Sequence, residues 1–135
     1  MTIYALSSGP GIAGVAVIRV SGEDTEKVIK LITGKDLPVP RVATLRKINN
    51  INTNELIDEG IVIWFPGPQS YTGEDMAEFH VHGSRAVIEA IHGSISKIEN
   101  WNCYVINVFC FSMSTNYLLI KCFFTKYWTI CFSNN

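Results

Sequence analysis

Apolar residues along this chain alternate or run in short β-branched blocks, with two stretches of helical spacing between them. Residues 2–6, "TIYAL", can form a short strand. Val15, Val17, Ile18 and Val20 are β-branched and stop at Ser21-Gly22, which predicts a strand over 15–20. Val28, Leu31 and Ile32 then recur at helical spacing. They predict a helix over 24–33, capped by Ser21 or Asp24, with these three on its buried stripe and Gly34 as its stop. "DLPVPR" reads as an extended connector, 42–48 as a strand, "NNINTNE" as a polar turn and 56–65 as a buried strand. "PGPQSYTGED" reads as a loop, since Pro66 and Pro68 cannot join regular pairing and Gly73 admits a positive φ. Residues 75–82 alternate as a strand. Val87, Ile88, Ile91, Ile95 and Ile98 line one side of a helix over 84–98, which Gly93 weakens by about 1 kcal/mol relative to Ala. Strands with two interspersed helices give an α/β (α+β) class, a mixed sheet with two helices.

Composition splits this pattern near residue 99. All 10 Gly, all 5 Pro and all 12 acidic residues lie in 1–99. Residues 100–135 hold all 4 Cys and 10 of the 15 aromatics, and contain no Gly, Pro, Ala, Asp, Glu, Arg, His or Gln. One domain rarely changes vocabulary so sharply. Residues 1–99 are therefore expected to be one unit, and 100–135 an unrelated tail. The tail reads as out-of-frame translation of AU-rich sequence, as a membrane segment, or as a β-rich extension. Residues 100–120 are uncharged and reach spanning length, but Asn100, Asn102, Asn107 and Asn116 suit hydrocarbon poorly, so no membrane partner is expected. Aromatic, β-prone and free of Pro, the tail is an aggregation hazard. Net charge is -1 and the basic residues do not cluster, so nothing grips a nucleic-acid backbone by charge alone. The start "MTIYALSSGPG" has no basic region followed by an apolar run, which predicts a cytoplasmic protein.

Several residues carry candidate chemistry. Residues 9–14, "GPGIAG", fit G-x-G-x-x-G, but a strand follows where a dinucleotide fold places a helix, and position 34 is Gly where an acid is needed. A flexible glycine loop remains, able to bring backbone amides close to a ligand. On the strand 75–82, Met76, Glu78, His80 and His82 share one face, while Ala77, Phe79 and Val81 share the other and look like core. The polar face can be a solvated surface, a ligand site, or the start of a metal site whose further ligands are not obvious. Arg19, on one face with Val15 and Val17, either snorkels or anchors an anion. Glu74 and Asp75 suit turn chemistry, and His92 is expected on the surface. Cys103, Cys110, Cys122 and Cys131 include no C-x-x-C pair, so no zinc site is read. There is no G-x-x-x-x-G-K-[ST] and no G-x-S-x-G. No catalytic residue is assigned.

The segments "GPGIAGVAVIRVSG" and "DEGIVIWFPGPQSYTGEDMAEFHVHG", with the helix after them, resemble the N-terminal domain of the bacterial tRNA modification GTPase family, also called thiophene and furan oxidation proteins. The likeness covers residues 1 to about 98. It implies a fold similar to the folate-binding aminomethyltransferases, a homodimer made through this domain, and a bound 5-formyl- or 5,10-methylene-tetrahydrofolate. By motif, Arg19 matches a folate-contacting Arg and Glu78 a Glu on the pterin side. Gly11, Gly14 and His82 are further candidates beside the cofactor. Ser84 stands where a second Gly is usual and suits a helix cap. Intact relatives add a helical domain and a GTPase domain using GTP, Mg and K. They modify carbon 5 of the wobble uridine of tRNA with the FAD-dependent glucose-inhibited division protein A. After Asn100 no continuation of the family is read, neither its next strand nor its Pro-Gly-Glu-Phe and Asn-Gly-Lys motifs. That Lys belongs to the folate site, so the chain is expected to be a fragment without GTPase activity and with weakened folate binding.

Overall fold

The computed structural model describes residues 2–8, 13–98, 103–105, 118–121 and 128–132. Gly11, Cys110, Cys122 and most of the candidate spanning stretch 100–120 lie outside them. The elements are β1 (Thr2–Leu6), β2 (Val15–Ser21), α1 (Thr25–Thr33), β3 (Thr44–Asn49), β4 (Leu56–Phe65), β5 (Met76–His82), α2 (Arg85–Ile95), β6 (Cys103–Val105), β7 (Leu118–Lys121) and β8 (Trp128–Phe132). Strands order as β3-β4-β5-β2-β1-β6 in one sheet, and β7 pairs with β8 in another. Every pairing in the larger sheet is antiparallel except β1 with β6, which makes it mixed.

Strand alternation sends one set of side chains to a single core. Trp64, Ala77, Val20 and Tyr4 form one row across the sheet, and Val62, Phe79 and Ile18 the next. All are buried and join Val28, Ile29 and Ile32 of α1 and Ile91 and Ile95 of α2 in one cluster, so both helices cover the same face. Burying each Val, Ile or Phe among them contributes about 1.5–3 kcal/mol. Among the described residues, no helix covers the opposite face.

Local differences from the sequence reading have physical causes. Ile29, not Leu31, shares the buried stripe of α1; Leu31 is 39% exposed because two residues beyond Ile29 is more than half a turn. Neither Asp24 nor Ser21 makes the side-chain cap. Asp24 sits at the N-cap position but trades bonds with Thr2, and Ser21 Oγ meets Thr72 Oγ1 at 2.7 Å. Gly34 closes the helix at φ +63, its N–H donating to Lys30 O. Ser84 does cap α2, accepting from the Val87 N–H at 3.2 Å, but the helix ends at Ile95 rather than residue 98. His92 is half-buried, not a surface residue. It lies one turn after Ile88, its ring stands 5.3 Å from Tyr4, and its Nε2 is buried with no partner among the described residues. Beyond the expected boundary at 99, Cys103–Val105 still adds a parallel strand to β1. Three residues are too few for alternation to be read from sequence.

Candidate functional site

The sheet face opposite the two helices carries the polar row. Arg19 of β2 and Glu78 of β5 are direct cross-strand partners, and alternation turns both away from the core. Arg19 Nε donates to Glu78 Oε1 at 2.8 Å. His80, two residues along β5, meets Glu78 Oε2 at 2.9 Å. The Glu78 side chain is 13% exposed, against 25% for Arg19 and 30% for His80. An ionised carboxylate offers about four acceptor sites, so two protein donors leave room for two more.

Beside this row lies a cleft of about 570 Å³, within the range of about 300–1,000 Å³ usual for small-molecule sites. Arg19, Glu78 and Met76 line it from the strands, Tyr71 and Gln69 from the loop 66–75, and Arg41 from the connector before β3. The Arg19 guanidinium sits 5.9 Å from the Tyr71 ring centre, a cation–π distance. The loop is fastened at several points. Asp75 Oδ1 accepts from the Gly67 N–H at 2.8 Å, and Asp75 O accepts from the Gly22 N–H at 2.9 Å and from Thr25 Oγ1 at 3.1 Å. Asp75 is thus spent on turn chemistry, as the sequence suggested, and Gly73 takes φ +77.

His82 and Gly14 lie elsewhere. His82 pairs with Val15, four residues from Glu78 along β5, about 13 Å at about 3.3 Å per residue. Its ring is 73% exposed, and Nδ1 bonds Asp58 Oδ1 at 2.8 Å while its backbone N–H donates to Asp58 Oδ2. Burial pushes the Asp58 carboxyl up, but bonds from the His82 backbone and ring and from the Glu59 backbone outweigh it and hold the group below the usual carboxylate value. Gly14 O accepts from the Gly83 N–H at 3.3 Å, and Gly83 must be Gly because a Cβ there would run into Ala13 O. The described end of the glycine loop therefore lies beside His82-Gly83, at the far end of β2 from Arg19. Among the described residues, no three His, Cys, Asp or Glu side chains gather as a metal set, and no helix is long and apolar enough to cross a membrane.

Sequence reasoning missed Arg41, Tyr71 and Asp58. Arg41 and Tyr71 come from irregular segments with no period to place them. Asp58 could have been found from its strand, had the register between β4 and β5 been known.

A family model described as the GTP-binding protein TrmE N-terminus matches residues 2–103. The chain is 76% identical over 100 residues to a tRNA modification GTPase MnmE of Pelagibacter ubique, a match covering 74% of this chain and 23% of that protein. It is 54% identical over 90 residues to the mitochondrial 5-taurinomethyluridine-[tRNA] synthase subunit GTPB3 of Danio rerio, covering 67% of this chain and 18% of that one. With a tRNA modification GTPase MnmE of Agrobacterium fabrum it shares 53% identity over 97 residues, covering 72% of this chain and 22% of that protein. The chain spans less than a quarter of the length of these curated relatives.

Proposed function

The chain belongs to the family of the GTP-binding protein TrmE N-terminus, and from that premise we propose that it holds a reduced folate for tRNA modification in the Arg19–Glu78 cleft. The observation that carries this is the cross-strand Arg19–Glu78 pair at the wall of an open cleft. A pterin presents N3–H and a 2-amino group side by side, and the unused lone pairs of Glu78 can accept both. Arg19 and His80 hold that carboxylate in place. Met76 and Tyr71 supply the apolar and aromatic walls that a fused ring needs. 5-Formyl- or 5,10-methylene-tetrahydrofolate would supply the one-carbon unit. Modification of the wobble uridine belongs to the full assembly with tRNA and the FAD-dependent partner, in the cytoplasm.

The same face suits a second copy of the domain. Leu45 and Ile61 are cross-strand neighbours, 64% and 39% exposed, and Val15 is 54% exposed. Exposed apolar residues on the sheet face opposite the two helices favour a homodimer, or a mixed dimer with a full-length relative. Residues past 105 keep the reading of an out-of-frame tail, and sequencing the gene from codon 95 onward tests it.

Titration calorimetry with 5-formyl-tetrahydrofolate tests the folate reading. The wild-type chain should bind, and E78Q should bind at least about a hundredfold more weakly, since Gln turns a donor toward the 2-amino group. Equal affinity of the two proteins would remove Glu78 from the site and the reading with it.

A further inference from the structure

Arg41 stands out on three independent grounds. It is a non-glycine residue at φ +63, a backbone conformation that L side chains adopt at a cost. It is held there by its N–H, which donates to Trp64 O at 2.7 Å, and by Nη2, which donates to Gln69 O at 2.6 Å. And it lines the cleft, where Arg19 and Glu78 offset one another's charge. Among the described residues no carboxylate pairs with Arg41. Its guanidinium carries donors on two further nitrogens beside the one spent on Gln69. The cleft therefore holds one net positive charge, fixed by a left-handed backbone that is itself bonded to β4.

We infer that Arg41 is the specificity residue for an anionic tail. It takes a carboxylate of the ligand whose ring end sits on Glu78, and so selects folates bearing glutamate over the same ring system without it. The inference rests on the folate reading. An Arg fork matches a carboxylate in shape and charge, whereas Glu78 meets only the ring edge. The two residues thus divide the ligand between them. Glu78 governs affinity for every pterin, and Arg41 governs affinity only for the tailed ones.

Binding of two probes to the full chain tests this: 5-formyl-tetrahydrofolate, and 5-formyl-tetrahydropteroate, which lacks the glutamate. R41G removes the guanidinium while suiting the left-handed backbone, so folding is not put at risk. R41K restores the charge. The wild type should prefer the folate by about tenfold. R41G should lose that preference by weakening the folate alone, and R41K should recover part of it. High salt should narrow the preference as well. Equal weakening of both probes in R41G would make Arg41 a structural wall and overturn the inference, as would an unchanged preference. If the wild type binds neither probe, the folate reading itself falls. If both bind equally while E78Q binds neither, that reading stands and only the role of Arg41 falls.

Discussion

The same chemical change at two glycines ten residues apart should move stability in opposite directions. At Gly83 a methyl group would meet backbone, not a side chain that could swing away: Ala13 O and Ala13 C are its nearest neighbours. Relief requires the segment before β2 and the turn between β5 and α2 to part, which stretches the Gly83 N–H bond to Gly14 O. Overpacking costs about 1–3 kcal/mol and a lost backbone bond about 0.5–1.5 kcal/mol, so G83A should destabilise by about 2–4 kcal/mol. At Gly93, exposed inside α2, nothing lies within 4 Å of the added carbon. G93A removes only the conformational freedom of the unfolded chain and should stabilise by about 0.5–1 kcal/mol. Urea denaturation followed by circular dichroism reads both. The midpoint should fall in G83A and rise in G93A, with the slope unchanged in each. A G83A protein as stable as the wild type would refute the close approach of residue 83 to Ala13. A destabilised G93A would refute the open position of residue 93.

S84A should cost about 1 kcal/mol by removing the acceptor for the Val87 N–H, measured in the same urea series; no loss would mean that the cap does not form. Burial holds the His92 imidazole below its ordinary value of 6.5, so the fold favours its neutral form. That contribution is complete above pH 6.5 and is lost as pH falls through 6.5 toward the lower folded value, and thermal melts of H92F should show a flatter limb there. The Asp58 carboxyl is held below 3.8, so its contribution is present above that pH and is lost as pH falls through the still lower folded value. D58N should flatten the acid limb below pH 4, and an unchanged limb would mean that the His82 bonds do not persist in solution.

Much of this architecture was legible because core strands carry strong patterns. Ala77, Phe79 and Val81 were placed in the core by alternation alone, and Glu78 and His80 on the opposite face. Gly34, Gly73 and Ser84 were legible because a left-handed stop, a positive-φ turn and a cap each demand particular residues. Alternation says nothing about register, however. It could not announce that Arg19 lies across from Glu78, nor that His82 ends up with Asp58 instead of in the cleft. Leu31 and His92 were misplaced because a nine- or eleven-residue helix presents several candidate stripes, and the sheet decides which one is buried.

The fastening of the loop 66–75 sets how the cleft can breathe. Its carboxyl end is tied to Gly22 and Thr25, at the start of α1, through Asp75 O, and its middle to β2 through Thr72 and Ser21. The loop cannot swing out by itself without breaking bonds to both elements, each worth about 0.5–1.5 kcal/mol net. The amide proton of Gly22, which donates to Asp75 O, should therefore exchange with solvent in concert with that of Gly67, as one opening unit. A small molecule held between Tyr71 and Glu78 would register as slowed exchange at the head of α1, outside the residues that line the cleft.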